Sequence, residues 1–159
     1  MRRVLQSTVL GLLAACAGAS DTGHADECLA PSQGVWGAVL WLEGNHMPSD
    51  GGTGGTSEPM STTVAAFPVI ASSGATEDRS DPEAYGRYDL GDAEAVATVT
   101  ADEGGCYALE LAAGSYTIVA DDSGAWFCNS FSPDGLCVVA VSDGDAVLFD
   151  IAVDYRAAY

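Results

Sequence analysis

The chain has 159 residues, with 23 acidic side chains against five basic ones and a formal charge of −18. All five bases are arginine: Arg2, Arg3, Arg79, Arg87 and Arg156. That balance excludes a nucleic-acid partner and electrostatic adsorption to an anionic bilayer, both of which need a basic surface. The length suits one domain, and 48% hydrophobic residues separate the chain from acidic disordered sequences.

Arg2 and Arg3 precede a mostly apolar run, residues 4–15, too short for a membrane span and of the form expected for a secretory signal. Its end, Leu13-Ala14-Ala15-Cys16, resembles the lipobox of bacterial lipoproteins. The resemblance implies cleavage before Cys16 and a diacylglycerol on its thiol. With small Ala17 and no Asp beside the cysteine, it also implies delivery to an outer membrane, facing the periplasm or the exterior. An ordinary signal peptide is the alternative, and would make the protein secreted. Cleavage would leave 144 residues and remove two arginines but no acid, giving a charge of −20. The anchor would then be lipid alone. Residues 16–33 are expected to form a tether rich in Ser, Gly, Asp and Ala, with His24 exposed and idle within it.

The domain proper is expected over residues 34–159. Residues 34–42 predict a first strand, and the glycine-rich stretch 43–61 predicts irregular structure. Residues 62–71 predict a second strand, with Pro68 calling for an edge position or a bulge. The acidic, turn-rich stretch 72–94 reads as a surface excursion holding at most one short strand. Further strands are expected at 95–100, 106–111, 115–121, 125–129, 137–142 and 146–155, with tight turns at 102–105 and 143–145. Seven or eight strands with short connections and no helix describe an all-β sandwich.

After Cys16, four cysteines remain: Cys28, Cys106, Cys128 and Cys137. An even number in an exported chain predicts two disulfides, in any of three connectivities. The favoured pairing joins the near neighbours Cys128 and Cys137, and hence Cys28 to Cys106. A four-cysteine metal site is the competitor, weakened by the lack of any CxxC pair.

The segment Val99-Thr100-Ala101-Asp102-Glu103-Gly104-Gly105-Cys106-Tyr107-Ala108-Leu109-Glu110-Leu111, followed by Ala113-Gly114-Ser115-Tyr116-Thr117-Ile118, resembles the carboxypeptidase regulatory-like domains. Gly34-Val35-Trp36-Gly37-Ala38-Val39 is similar to their first strand. The resemblance spans residues 34–155 and implies a small transthyretin-like, or prealbumin-like, sandwich without implying peptidase activity. A narrower resemblance, to bacterial exported proteins of no assigned chemistry, rests on Gly44-Asn45-His46-Met47-Pro48, Gly124-Ala125-Trp126-Phe127-Cys128-Asn129 and the tail Asp154-Tyr155-Arg156-Ala157-Ala158-Tyr159. The transthyretin-like group also includes 5-hydroxyisourate hydrolases, whose chains end Tyr-Arg-Gly-Ser. Here the ending is Tyr155-Arg156-Ala157-Ala158, and only His24 and His46 are available as histidines.

Two metal sites are conceivable. His46, Met47 and Met60, near Asn45 and Pro48, carry imidazole and thioether groups that suit copper, against a reading in which they merely shape a turn. Calcium would draw on Glu77, Asp78, Asp81 and Glu83, on Asp121 and Asp122, or on Asp143 and Asp145, but no EF-hand spacing occurs and a solvated acidic surface is the simpler account. Paired carboxylates for glycoside hydrolysis lack any specific motif, as do nucleophile–histidine arrangements. No catalytic residue is therefore assigned. Trp36, Trp41, Trp126, Phe127 and Tyr159 cannot all face one small core, and an exposed group of them would bind protein or sugar. The expected function is a lipid-anchored, non-enzymatic module that binds a protein or glycan partner without a cofactor. Its expected binding patch comprises Asn45, Met47, Pro48, Trp126, Phe127 and Asn129.

Overall fold

A single long strand, β1 (Gly34–Asn45), organises the first sheet. The computed structural model describes residues 28–47 and 54–159, so Cys16, His24 and Pro48 lie outside the described residues. Along one side, β1 pairs antiparallel first with β7 (Cys106–Glu110) and then with β2 (Thr56–Pro59). Along the other it pairs parallel with β13 (Ala146–Leu148) and then β14 (Ile151–Ala158). Central placement matches the near-continuous apolar character of residues 35–42.

The expected strand at 146–155 is thus two strands on one line. The break at Phe149 and Asp150 is paired locally: Phe149 N donates to Trp36 O, and Asp150 Oδ1 accepts from Ala38 N at 2.8 Å. Gly37 permits this close approach, because a Cβ there would run into the Phe149 carbonyl. The irregular stretch expected at 43–61 is also partly ordered. β1 continues to Asn45, and the wholly exposed β2 is held by its backbone ladder rather than by burial.

The second sheet has seven strands. Its main path runs β4 (Thr76–Glu77), β5 (Arg87–Asp89), β9 (Ala125–Phe127), β8 (Gly114–Asp122), β3 (Thr63–Pro68) and β6 (Ala97–Thr100). β12 (Val138–Val141) pairs with the first half of β8. Pro68 sits at the last position of β3, where β6 no longer runs alongside, so its missing N–H breaks no central ladder. A separate hairpin, β10 (Phe131–Ser132) and β11 (Gly135–Leu136), completes the fold.

The two sheets pack as the expected all-β sandwich. Val35, Val39, Val64, Ala66, Ile118, Ala120, Phe127 and Val153 form the core between them. A second apolar cluster lies on the outer face of the larger sheet, where Ala65, Phe67 and Val119 meet Leu90, Leu136 and the Cys128–Cys137 disulfide. β8 is therefore buried on both faces: Ile118 points between the sheets, while Thr117 points outward. Thr117 Oγ1 donates to Leu136 O at 2.8 Å and accepts from Ile70 N at 2.9 Å, which satisfies a fully buried hydroxyl.

Both disulfides form in the favoured pairing. Cys28–Cys106, with Cα atoms 5.3 Å apart, fastens the entry of the domain to β7, and Cys128–Cys137 closes the loop that carries the β10–β11 hairpin.

Candidate functional site

Alternation along β5 and β9 splits neighbouring residues between two environments. Arg87 and Phe127 are directly paired and turn inward, while Tyr88 and Trp126 are directly paired and turn outward. The inward set closes one end of the sandwich and the outward set forms a surface groove.

At the inward end Arg87 is 8% exposed and Asp122 3%. Arg87 Nη2 donates to the Asp122 carbonyl at 3.1 Å and lies 3.2 Å from Asp78 Oδ2. Its Nε sits 3.4 Å from Asp122 Oδ2, near enough to pair charges but outside hydrogen-bond geometry. Tyr155, from β14 in the other sheet, donates its hydroxyl to Asp122 Oδ2 at 2.9 Å and meets Trp41 edge-on. Arg156 lies against the Tyr155 ring and reaches Asp81 and Glu83 at 3.1 and 2.8 Å. Arg79 pairs with Glu77 at 2.7 Å. All three arginines of the described residues are thus tied to acids of the 72–94 excursion, and the excursion is pinned to both sheets.

Burial pushes the Tyr155 hydroxyl up to about 12, helped by its hydrogen bond to Asp122 and that carboxylate's charge. The unfolded phenol titrates near 10, so the folded state holds this proton more tightly. The associated stability is complete below about pH 10 and is lost as pH rises towards about 12. Urea unfolding followed from pH 9 upward should show a falling midpoint, with a shallower fall in Tyr155→Phe. An unchanged slope in that variant would show that the hydrogen bond to Asp122 does not govern this titration.

The outward row runs Glu77, Tyr88, Trp126 and Asp121 across β4, β5, β9 and β8, each residue directly opposite the next and so sharing one face. Phe67 meets the Trp126 ring edge-on with centroids 5.4 Å apart, anchoring it to the second cluster. Glu77, Asp78, Arg79, Tyr88, Asp89 and Trp126 line an open groove of about 400 Å³, within the range of small-molecule sites. Partial burial raises the Tyr88 hydroxyl, with the Glu77 charge adding to it. Asp78 is held below the usual carboxylate value, chiefly by the Ser80 backbone N–H and then its hydroxyl, with Arg87 behind it. The Asp78 carboxylate is therefore charged at neutral pH, and the Tyr88 phenol is neutral.

The described residues of the expected patch are dispersed. Asn45 and Met47 stand at the end of β1 in the smaller sheet, where Asn45 Oδ1 accepts from Met47 N at 2.9 Å. Asn129 donates to Ala152 O and to Asp154 Oδ1 at the outer edge of β14. Phe127 is fully buried between the sheets, because it alternates with Trp126, and so leaves the patch. Trp126 is the member that lines a groove. Of the other aromatics, Trp41 packs partly against the core, and Tyr159 is 66% exposed, with its hydroxyl on Asp154.

The copper candidates are also separated. Met60 N donates to Val39 O and its side chain packs against the core, seven residues along β1 from His46, or roughly 20 Å of strand. His46 instead stacks near Tyr159, with Met47 exposed beside it. Among the described residues, no three His, Cys, Asp or Glu side chains converge as a metal ion would require. The acidic clusters turn onto partners instead: Asp81 and Glu83 onto Arg156, Asp122 onto Arg87 and Tyr155, and Asp121 onto Gly124 N.

Tyr88 and Asp89 had no signal in the sequence beyond membership of an acidic, turn-rich stretch, and Glu77 stood out only as one of the calcium candidates. Only the strand register places them beside Trp126. Comparison of the chain with family models, curated proteins and solved structures returned no match.

Proposed function

We propose that this chain is an exported, lipid-anchored, non-enzymatic sandwich module that holds a ligand in the groove between Glu77, Tyr88 and Trp126. The observation that carries the reading is the directly paired Tyr88 and Trp126 on an open face, ringed by charged side chains. Adjacent aromatic side chains on a rigid sheet, among polar groups, offer a preformed contact at small entropic cost, which is the usual chemistry of a binding surface. The disulfide next to β9 and the contact with Phe67 hold that surface in shape before any ligand arrives. The lipobox-like Leu13-Ala14-Ala15-Cys16 and the two disulfides favour an oxidising location outside the cytoplasm. The resemblance to carboxypeptidase regulatory-like domains fits such a module and adds no chemistry of its own.

A nuclear magnetic resonance screen of the purified protein against small amines, sugars and short peptides tests this directly. Binding should move the Trp126 indole and Tyr88 ring signals, and Trp126→Ala should weaken it at least about tenfold, as loss of a central aromatic anchor does. Ligands that bind while leaving those signals still would overturn the site. Membrane attachment is tested separately: Cys16→Ser should release the protein into the soluble fraction.

A further inference from the structure

We propose that the outer face of the smaller sheet rests on a zwitterionic lipid surface, an inference that depends on the lipid-anchored reading above. Val35 and Val39 of β1 point into the core, as do their direct partners Leu109 and Ile151. Alternation therefore turns the next residues of each strand to the opposite face, where directly paired side chains stand in rows. Trp36 lies between Ala108 and Leu148, and Leu40 lies between Pro59 and Ala152. Leu42 extends the face by one further row. Trp36, Leu40 and Leu42 are only partly buried and belong to neither apolar cluster of the described residues, and Leu148 is 49% exposed. Asp150, at the strand break, turns its Oδ1 onto Ala38 N, while Glu110 and Asp154 stand towards the two ends of the rows.

Residue 28, where the described chain begins, is fixed on this same face. Cys106 is directly paired with Ala38, between the Trp36 and Leu40 rows, so the Cys28–Cys106 bridge lies on the outer side of the sheet. Leu29, next to the bridge, is 86% exposed. Cys28 follows Cys16 by 12 positions, a length that reaches about 40 Å at full extension. A lipid on Cys16 is thereby tied to the middle of an apolar sheet face. Contact of that face with the bilayer becomes an intramolecular event at high effective concentration, so a modest apolar contact suffices.

A second copy fits the face less well. Each chain brings a charge of −18, and Glu110 and Asp154 would meet their like across the contact, whereas zwitterionic lipid brings no net charge. The groove of Tyr88 and Trp126 lies with the outer cluster of the larger sheet, on the far side of the sandwich. Docking by the smaller sheet turns that groove away from the membrane and leaves it open to a ligand.

Nuclear magnetic resonance of the lipidated protein in zwitterionic nanodiscs, with a nitroxide on the lipid head groups, tests the proposal. The Trp36 indole signal should broaden more than that of Trp126. Anionic lipid should reduce the difference, and added salt should restore it. Leu29→Gln with Leu148→Gln, both at exposed positions, should lower the ratio of docked to undocked protein about fivefold or more while leaving the urea midpoint nearly unchanged. Equal broadening of the two indoles, or no effect of the double variant, would overturn the proposal. Protection of Trp36 that follows protein concentration and ignores the nitroxide would overturn it in favour of a second copy. If mass spectrometry finds no diacylglycerol on Cys16, the anchor reading fails and this inference with it. If the lipid is present and the indoles broaden alike, the inference alone fails.

Discussion

Arg87→Met should destabilise the folded protein by about 3–5 kcal/mol in urea unfolding, one of the two largest effects expected from any change away from the hydrocarbon core. The side chains of Arg87 and Asp122 are 9% and 5% exposed, so removing the guanidinium leaves a buried carboxylate supported mainly by the Tyr155 hydroxyl. Asp78 is less affected, because it is partly exposed and keeps both hydrogen bonds from Ser80. The pair itself is not an efficient source of stability. Its Nε lacks a hydrogen bond, and desolvating both charges offsets much of their attraction. Consequently Arg87→Met combined with Asp122→Leu should recover most of the loss, giving a strongly non-additive double-mutant cycle. A loss under about 1 kcal/mol in the single variant, or additive losses in the double, would show that the charges are not coupled in the interior as the geometry requires.

What the ion cluster contributes is geometry. Arg87 comes from β5, Asp122 from the end of β8, Asp78 from the segment after β4 and Tyr155 from the other sheet. A cluster drawing on four segments fixes how the sheets meet at this end, and it also fixes the back of the groove, since Asp78 faces both. An apolar replacement would be stable but would leave the 72–94 excursion without its inward tie. Arg87 suits that position because its planar fork of donors reaches two acids and a carbonyl, which a single ammonium could not serve with the same fixed spacing.

Local alternation carried most of the fold. Residues 106–111 and 115–121 read as strands because apolar side chains recur at every second position, and they correspond to β7 and β8. The disulfides were legible because one pair is close in sequence, leaving a single partner choice for the other. β2 was not legible, since all four of its residues are exposed and only backbone pairing with β1 orders them. The bend between β13 and β14 likewise depends on Gly37 in a distant strand. The site was half legible for the same reason. Trp126 stood out by type, but Phe127 beside it points the other way, and Tyr88 joins Trp126 only through a register that no local pattern encodes. Arg87 read as one more surface charge in an acidic stretch, because its partners come from elsewhere in the chain.

Removing the Cys28–Cys106 bridge by Cys28→Ala and Cys106→Ala together should cost the most of any loop-closing change. In the chain-entropy description, a crosslink closing the 78-residue separation is worth about 4.5 kcal/mol, against about 2.6 kcal/mol for the nine-residue separation of Cys128 and Cys137. The longer bridge also holds the entry to the domain. Cys28 is buried beside β7, and the chain then reaches β1 through Gln33, whose side chain donates to Leu111 O at 2.9 Å and accepts from Gly144 N at 2.6 Å. Those bonds remain without the disulfide, so native geometry should persist and the loss should fall on the unfolded state. That assignment has a signature beyond the lower midpoint: the slope of unfolding free energy against urea should rise, because the uncrosslinked unfolded chain exposes more surface. The Cys128→Ala and Cys137→Ala variant should instead show a smaller entropic loss, added to lost packing in the outer cluster with Leu136, and little change in slope. The reverse order of losses, or an unchanged slope in the first variant, would mean that the long bridge acts on the folded state. With the expected order, the fold depends on an oxidising environment chiefly through Cys28 and Cys106, the pair that joins the segment ahead of β1 to β7.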